Sequence, residues 1–405
     1  MPGKADEEGI PGRIWTEEND ARRRLGGAGT EGLPSVSTSL QSPARRAQPT
    51  TLGAAFDPRR NALNAIRLLL ALLVIVWHSF PLSGHEVPFA PLRQVLGRFS
   101  VDGFFAISGY LIVASWVRTP KWWPFLRARV LRIFPAFWVS LIVTAFVIAP
   151  LSLVARGAPL DGAFWSGAVR YVVNNAGLWV NHFGIAGTPL EVPYPGAWNG
   201  SMWTLFWEFL CYLGVLALGL AGLFRRRLVV PALFGLALLG VLATSYGPIG
   251  NFWLSRGSQF GVMFLAGTLI YQYADRIPLS RRWIVAALVL LVGSAWLPDY
   301  RLVAALPIAY LMIALGALGT HPRLQVRNDF SYGTYIFAFP LQQLLATLGV
   351  ASLGVPLFCL AGIAVTLPVA AASWFWIEKP ALRLKKIRRP VTAQEIAVAE
   401  GTHRS

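Results

Sequence analysis

Charged residues are scarce in this sequence. Only 14% of its 405 residues are Asp, Glu, Lys or Arg, whereas 55% are hydrophobic. A soluble globular protein has about 25% charged and about 45–50% apolar residues, so this composition excludes an ordinary cytosolic enzyme and a disordered protein. We therefore expect a protein of the lipid bilayer.

Cysteine is almost absent as well. The two that occur, Cys211 and Cys359, each lie inside a long apolar run. Two thiols without metal-ligand spacing provide no disulfide framework, no zinc site and no redox-active Cys-x-x-Cys pair. We expect no metal site.

Composition divides the chain into three parts. The first apolar run begins near Ala62, and the residues before it are rich in Gly, Pro, Ser and charge. Such a segment resembles neither a signal peptide nor a hydrophobic core. We predict a disordered cytosolic tail over residues 1–58, a membrane domain over residues 59–380 and a basic cytosolic tail over residues 381–405.

Long apolar segments dominate the membrane domain. A helix needs about 20 mainly apolar residues to cross about 30 Å of hydrocarbon. The fold class that follows is an all-α polytopic membrane protein with about ten transmembrane helices. The predicted spans are residues 62–82, 98–118, 131–153, 203–223, 228–246, 258–275, 283–298, 302–320, 330–350 and 354–376.

Basic residues predict the orientation. The 36 Lys and Arg against 19 Asp and Glu could indicate a nucleic-acid partner, but these residues collect in alternate connections between the spans. Basic residues mark cytoplasmic loops, so we predict cytoplasmic termini, an inner-membrane location and no nucleic-acid partner. The connections concerned contain Arg118, Lys121, Arg127, Arg129 and Arg132; Arg225 to Arg227; Arg276, Arg281 and Arg282; Arg323 and Arg327; and the segment from Lys379 to Arg389.

Four ionisable residues stand out inside the predicted spans: Arg67, His78, Asp102 and Glu208. A charge at mid-bilayer costs about 2.5–3.5 kcal/mol on insertion scales, so each of them needs a reason. Arg67 and His78 are eleven residues apart and should share one helix face, about 16 Å apart along the axis.

His78, Asp102 and Glu208 are predicted to reach one depth. Each is about 15 or 16 residues from the cytoplasmic end of its span. We expect them to converge in the outer half of the bilayer. The alternative is that each is an independent residue near a helix end that reaches the interface.

Arg129 and Arg132 lie one helical turn apart at the start of the third span, near the level of Arg67. Guanidinium groups in this arrangement suit the phosphates of a nucleotide cosubstrate, because Arg presents a planar fork of donors. The alternative is that they are ordinary positive-inside anchors.

Several short segments then follow one another along residues 60–385. They are Asn64 to Arg67 with Trp77-His78, Val101 to Leu111, Arg129 to Pro135, Ser201 to Tyr212, Ser331 to Tyr335, and Trp376 to Pro380. In content and order this pattern resembles the acyltransferase-3 family of integral-membrane O-acyltransferases.

The resemblance implies that an acyl group, usually acetyl, passes from cytoplasmic acyl-CoA to a hydroxyl of a sugar in a surface polysaccharide or a lipid-linked glycan. His78 would correspond to the catalytic histidine and Arg67 to its partner arginine. Arg129 and Arg132 would correspond to the donor-binding Arg-x-x-Arg pair, and Glu208 to the acidic position. One departure is Ala338, where the family often has histidine two residues before proline.

These observations lead to a mechanistic hypothesis. His78 acts as general base, Glu208 orients it, and Asp102 is the reserve candidate. We predict direct attack on the thioester, with an acyl-histidine intermediate left open. We expect Ser108 to serve helix packing beside Gly109. The alternative function is a transporter or flippase for a lipid-linked glycan, since such carriers also use intramembrane charges.

The long connection over residues 154–202 is rich in Trp and Asn. These side chains could stack on sugar rings and bond their hydroxyls, or form an interfacial aromatic belt. The sequence leaves both interpretations open. The residues are Trp165, Trp179 and Trp198 with Asn174, Asn175 and Asn181.

Overall fold

A computed structural model of the protein describes residues 50–386, and within that range the chain is built of helices and their connections, without a strand. Two π-helical turns, Thr144–Ile148 and Trp374–Glu378, continue the helices before them. The α-helices are α1 Leu52–Ala55, α2 Leu63–Leu82, α3 Ala90–Arg118, α4 Trp122–Val143, α5 Ala149–Ala155, α6 Gly162–Asn175, α7 Thr204–Leu220, α8 Val229–Tyr246, α9 Phe252–Gln272, α10 Arg281–Ser294, α11 Arg301–Leu318, α12 Ser331–Thr347, α13 Val355–Ser373 and α14 Lys379–Arg383.

Every predicted span coincides with a helix, and six of these helices are long and apolar enough to cross a bilayer. The other four, α7, α9, α10 and α12, do not meet that requirement of length and hydropathy. The all-helical fold is therefore confirmed, whereas the number ten and the cytoplasmic termini stay predictions. The six are Leu63–Leu82, Ala90–Arg118, Trp122–Ala155, Val229–Tyr246, Arg301–Leu318 and Val355–Arg383.

The packed part of the chain begins earlier than residue 59. Leu52 is fully buried, and its backbone N–H donates to the Ile277 carbonyl at 2.8 Å, while that of Gly53 donates to Ala274 at 2.9 Å. The predicted tail therefore does not extend to residue 58, because one apolar residue before the first long run is buried against the core. The rest of the predicted tails, residues 1–49 and 387–405, lies outside the described residues.

Helix α3 lies at the centre of the bundle and packs against α2, α7, α9 and α11. It approaches α9 most closely at two glycines, where an added Cβ would lie 1.9 Å from a facing carbonyl oxygen: Gly109 against Phe264, and Gly267 against Ala106. Small residues permit such close backbone approach in a membrane helix pair. The predicted packing role of the segment around Gly109 fits this contact.

Helix α2 lies between α3 and α12. Gln342 of α12 donates from Nε2 to the Ser79 hydroxyl at 2.9 Å and to the Ile75 carbonyl at 3.2 Å. These buried bonds fix the rotation of α2 beside His78. Since α2 leads from Arg67 to His78 and α3 returns, the bundle has an Arg132 end, with the α3–α4 turn, and a His78 end, with the α2–α3 turn.

The connection over residues 154–202 contains α6 and an irregular segment. Trp198 is fully buried and donates from Nε1 to the Thr188 hydroxyl at 3.0 Å. Asn175 is also buried and donates to the His182 carbonyl at 2.7 Å. These two side chains hold the connection together, so they are not available to stack on or bond a sugar. Trp165 and Trp179 remain partly exposed.

Candidate active site

Two arginines and two carboxylates meet at the Arg132 end. Arg67 of α2 donates to Asp329 Oδ2, and Arg132 of α4 donates to the same oxygen at 2.6 Å. The other nitrogen of Arg132 reaches Glu378 Oε2 at 3.0 Å. The π-turn that ends at Glu378 turns this carboxylate towards α4, where only 1% of it is exposed.

Asp329 lies in the connection before α12 and is the hub of this cluster. Burial raises the pKa of its carboxyl, but the guanidinium groups of Arg67 and Arg132 outweigh burial and hold the pKa at about 2. Its other oxygen accepts from the Ser331 hydroxyl and backbone N–H. Asp329 is therefore an anion that two helices share.

Arg129 differs from these two arginines. It has no carboxylate within ion-pair distance in the described part of the chain, and its Nε is buried without a partner. Its polar contact is a long one, from Nη2 to the Ser115 hydroxyl at 3.4 Å. The guanidinium also lies over the rings of Phe125 and Tyr212. Of the predicted donor-binding arginines, Arg129 has the most free donor capacity.

The segment after α14 adds a further cation. Arg127 donates to the Leu384 carbonyl at 2.8 Å, which holds this segment against α4. Partial desolvation, with the positive charges of Arg129 and Arg132 nearby, lowers the pKa of Lys385 to about 8. The Arg132 end thus presents cations from α4 and from the end of the described chain.

Glu208 lies on α7 and faces α3. Its Oε1 accepts from the Ser108 hydroxyl at 2.9 Å and from the Tyr212 hydroxyl. Ser108 therefore has a polar contact in addition to its place beside Gly109. Glu208 makes no hydrogen bond to His78 within the described residues.

His78 is half-buried near the end of α2. Its Nδ1 lies 2.9 Å from the Val74 carbonyl, and its ring meets the edge of Phe339. Because a carbonyl can only accept, the neutral ring carries its proton on Nδ1, which leaves the Nε2 lone pair for a reacting group. The backbone of its own helix, and not Glu208, sets the tautomer.

Asp102 belongs to a different network. Its Oδ1 accepts from Arg301 Nε at 2.9 Å, and its Oδ2 accepts from the Tyr300 hydroxyl. Both carboxylate oxygens are engaged by protonated donors at a fully buried position. The structure does not bring Asp102 into contact with His78 or Glu208.

Three cavities follow one another along the bundle. A narrow cavity of about 30 Å³ is lined by Arg67 and Glu208, and a histidine cavity of about 200 Å³ is lined by His78. An arginine cavity of about 830 Å³ opens at the His78 end. Val101 and Thr204 line all three. Arg67 and His78, which the sequence places on one helix face, thus line neighbouring cavities that share wall residues; we call this row of three cavities the passage.

The passage is polar near its middle. Tyr335 lines the narrow and histidine cavities, and its hydroxyl donates to the Ser201 carbonyl at 2.7 Å. It also bonds the Thr204 hydroxyl at 2.5 Å. No cluster of His, Cys, Asp and Glu that could hold a metal ion occurs in the described ranges. The polar groups that line the passage include the Glu208 carboxylate, hydroxyls, the His78 imidazole and arginines.

A family model described as "Acyltransferase domain" matches residues 60–375 of this chain. The chain belongs to the acyltransferase-3 family. The resemblance predicted from short segments is confirmed, and the protein is an acyltransferase with membrane-spanning helices.

Two curated proteins are similar along most of their length. An "O-acetyl transferase" of Shigella phage Sf6 is 27% identical over 295 residues, which are 71% of this chain and 86% of that protein. "Nodulation protein 10" of Rhizobium leguminosarum bv. viciae is 26% identical over 377 residues, 84% of this chain and 97% of that protein. No solved structure matches this acyltransferase.

Sequence reasoning missed several charged residues of this acyltransferase. Asp329 and Glu378 lie beside or within two of the quoted segments, so they could have been noted as the only acidic residues there. Arg256 and Arg301 lie next to the ends of predicted spans, in the connections that positive-inside counting places on the non-cytoplasmic side. Neither had a sequence signal that joined it to the site.

Proposed function

We propose that this protein is a membrane-bound O-acyltransferase that moves an acyl group, acetyl in the simplest case, from acyl-CoA to a sugar hydroxyl of a surface polysaccharide or a lipid-linked glycan. Donor binding is assigned to the Arg132 end and acceptor binding to the His78 end. The name of the Shigella phage relative supports acetyl transfer to oxygen.

The observation that carries this proposal is the passage from the narrow cavity through the histidine cavity to the arginine cavity, with Val101 and Thr204 in the walls of all three. An enzyme that takes its two substrates from opposite ends of the bundle needs such a connection. The narrow cavity holds about one water molecule. The donor arm must therefore displace its lining side chains as it enters.

At the donor end, the phosphates of acyl-CoA are assigned to Arg129, with Lys385 close by. Arg67 and Arg132 are already paired with Asp329, so they frame the site and carry less of the free positive charge. Charge-assisted bonds from guanidinium to phosphate are among the stronger polar contacts in proteins.

At the transfer step, Nε2 of His78 takes the proton of the acceptor hydroxyl as its oxygen attacks the thioester carbonyl carbon. A carbon–oxygen bond forms, the carbon–sulfur bond breaks, and the imidazolium returns its proton to the coenzyme A thiolate. The products are the ester and free coenzyme A. A positioned base of this type contributes about 10²–10⁴-fold.

Glu208 and Asp102 act, in this proposal, by positioning other groups. The Glu208 carboxylate ties α7 to α3 through Ser108 beside the narrow cavity. Asp102 holds Arg301 at the arginine cavity. The earlier hypothesis that either carboxylate orients His78 has no contact to support it.

The test is acyl transfer by purified protein in detergent, where no compartments exist. Radiolabelled acetyl-CoA and a glycan extract of the cell envelope should give labelled glycan with wild-type protein. The His78→Ala variant should lose at least about 100-fold in rate while binding donor normally. Folded wild-type protein that transfers nothing under these conditions would contradict acyl-CoA as the donor or the envelope glycan as the acceptor.

A further inference from the structure

The arginine cavity holds more positive charge than its acidic partners neutralise. Arginine side chains from three helices line it, together with Trp and Gln side chains, and no Asp or Glu of the described chain does. It is the largest cavity of the passage. The arginines are Arg93, Arg98, Arg256 and Arg301.

Two carboxylates behind the cavity wall neutralise part of this positive charge. Arg301 is paired with Asp102 at 2.8 Å and with Asp299 at 3.1 Å, and Arg98 reaches the same Asp299 at 3.3 Å. Arg93, at the exposed rim, is paired with Glu86. Two guanidinium groups are therefore balanced inside and one at the rim.

No Asp or Glu among residues 50–386 pairs with Arg256. Its Nη1 donates to Gln259 Oε1 at 3.1 Å, and Gln259 in turn donates to Asp299 Oδ2 at 3.1 Å. The amide thus separates Arg256 from an anion that is already shared by two other arginines. Within this network, three guanidinium groups face two carboxylates, so one positive charge is in excess.

A half-buried cation without a counter-charge is costly, because burial removes part of its hydration and no carboxylate replaces it. Arg256 is therefore a candidate anion-binding group. The guanidinium of Arg256 lies over the ring of Trp203, which holds it at the cavity wall. Trp77 and Trp203 line both this cavity and the histidine cavity. Their rings can pack against the face of a sugar while Arg256 binds an anionic group.

We infer that the arginine cavity binds an anionic acceptor: a glycan unit whose carboxylate or phosphate pairs with Arg256 while one of its hydroxyls reaches His78. The inference rests on the proposed function in taking this ligand to be the acyl acceptor. The volume of the arginine cavity, about 830 Å³, falls in the range of about 300–1,000 Å³ that holds a small organic ligand. A neutral sugar would leave Arg256 without a counter-charge.

Binding without turnover is the first test. Thermal stabilisation of the purified protein is measured with methyl glucuronide, glucose 1-phosphate and neutral methyl glucoside. The two anionic probes should stabilise it at about 10- to 100-fold lower concentration than the neutral one. That advantage should shrink as salt is raised. Stronger stabilisation by the glucuronide assigns a uronic acid, and stronger stabilisation by the sugar phosphate assigns a phosphorylated glycan.

Variants locate the effect. Arg256→Gln should abolish the preference for anionic probes, and Arg256→Lys should restore part of it. Arg170→Gln is the matched control, because Arg170 is exposed on α6 and does not line the cavity. Equal stabilisation by charged and neutral probes, or an unchanged preference in folded Arg256→Gln, would overturn the inference.

Measurements of acyl transfer distinguish a failure of this inference from a failure of the proposed function. If transfer to a neutral acceptor is efficient and Arg256→Gln does not reduce it, the acyltransferase proposal stands and the anionic acceptor is wrong. If anionic probes bind through Arg256 but no acyl-CoA-dependent transfer occurs, the binding site stands and the proposed function is wrong.

Discussion

Arg67 and Arg132 donate to the same oxygen, Oδ2 of Asp329, although they lie on different helices. One carboxylate from the α11–α12 connection therefore joins α2 and α4 at the end where the donor is proposed to bind. The other terminal nitrogen of Arg132, Nη1, donates to Glu378 Oε2. Arg67 and Arg132 are thus both paired with carboxylates, whereas the nearby Arg129 has no such partner in the described part of the chain.

Asp329→Asn should destabilise the fold strongly. Removal of one partner from a buried ion pair costs about 3–5 kcal/mol, because the other charges are left unpaired. Glu191→Gln is the control, since Glu191 pairs with Arg156 but is 84% exposed, and an exposed pair contributes about 0–1 kcal/mol. Thermal unfolding in detergent measures both, and equal shifts would show that the Asp329 cluster is not structural.

The contribution of Asp329 should also depend on pH. Its pKa of about 2 in the folded protein lies below its unfolded value of about 3.9. A carboxyl group whose pKa is lower in the folded state than in the unfolded state stabilises the folded state. This stabilisation is complete at pH values above the unfolded pKa, and it is lost as the pH falls towards the folded pKa. The difference in melting temperature between wild type and Asp329→Asn should be constant from pH 7 to about 5 and shrink below about 4. A constant difference down to pH 3 would contradict this assignment.

Arg129→Ala and Arg132→Ala should separate donor binding from structural support. Loss of Arg129 should raise the KM for acyl-CoA by about 10-fold or more, because a charge-assisted contact to phosphate is lost. The melting temperature should change little, because no carboxylate of the described residues loses an ion-pair partner. Loss of Arg132 should lower the melting temperature, since Asp329 and Glu378 each lose a cation. Steady-state kinetics and thermal unfolding measure the two effects. An unchanged donor KM in folded Arg129→Ala would return it to the role of a topology anchor.

Val101→Phe should obstruct the passage where the three cavities meet. The larger ring should lower the rate of acyl transfer by about 100-fold, since small misplacements of reacting groups carry losses of that order. Val117→Phe is the matched control on the same helix, because Val117 is exposed on the bundle surface. Single-turnover rates measure the effect. Comparable rates in the two variants would mean that the acyl group does not travel past Val101.

The sidedness of the two substrates depends on the orientation of the bundle. Positive-inside counting predicts that α6 is outside and the α7–α8 connection inside. In a variant that lacks Cys211 and Cys359, Ala163→Cys should react with an impermeant maleimide added to intact cells, and Arg226→Cys only after lysis. Both positions are exposed in the structure. The reverse labelling pattern would invert the donor and acceptor sides.

The helices could be predicted from the sequence because the signal for each is local. An apolar run of about 20 residues forms a helix in lipid whatever its neighbours are, since its backbone groups must be satisfied internally. The common face of Arg67 and His78 follows from helix geometry in the same way. The short motifs were sufficient for the family, because each consists of consecutive residues whose order can be read directly.

Which side chains on different helices contact one another could not be predicted. Glu208 and His78 have similar predicted depths, yet Glu208 bonds Ser108 while His78 bonds Val74 of its own helix. Depth gives one coordinate of a side chain, whereas contact also requires the rotation and spacing of both helices.

The sequence by itself therefore determined the helical membrane fold, the family and the residues that carry charge into the bundle. Only the tertiary structure decided which charges neutralise one another, and so left Arg129 and Arg256, beside the two proposed substrate sites, without a carboxylate partner in the described part of the chain. The reason is that α3 and α9 meet through Gly109 and Gly267, a contact set by shape. That packing brings Arg256 and Asp299 into one network with Arg98, an arrangement that no local pattern along the chain encodes.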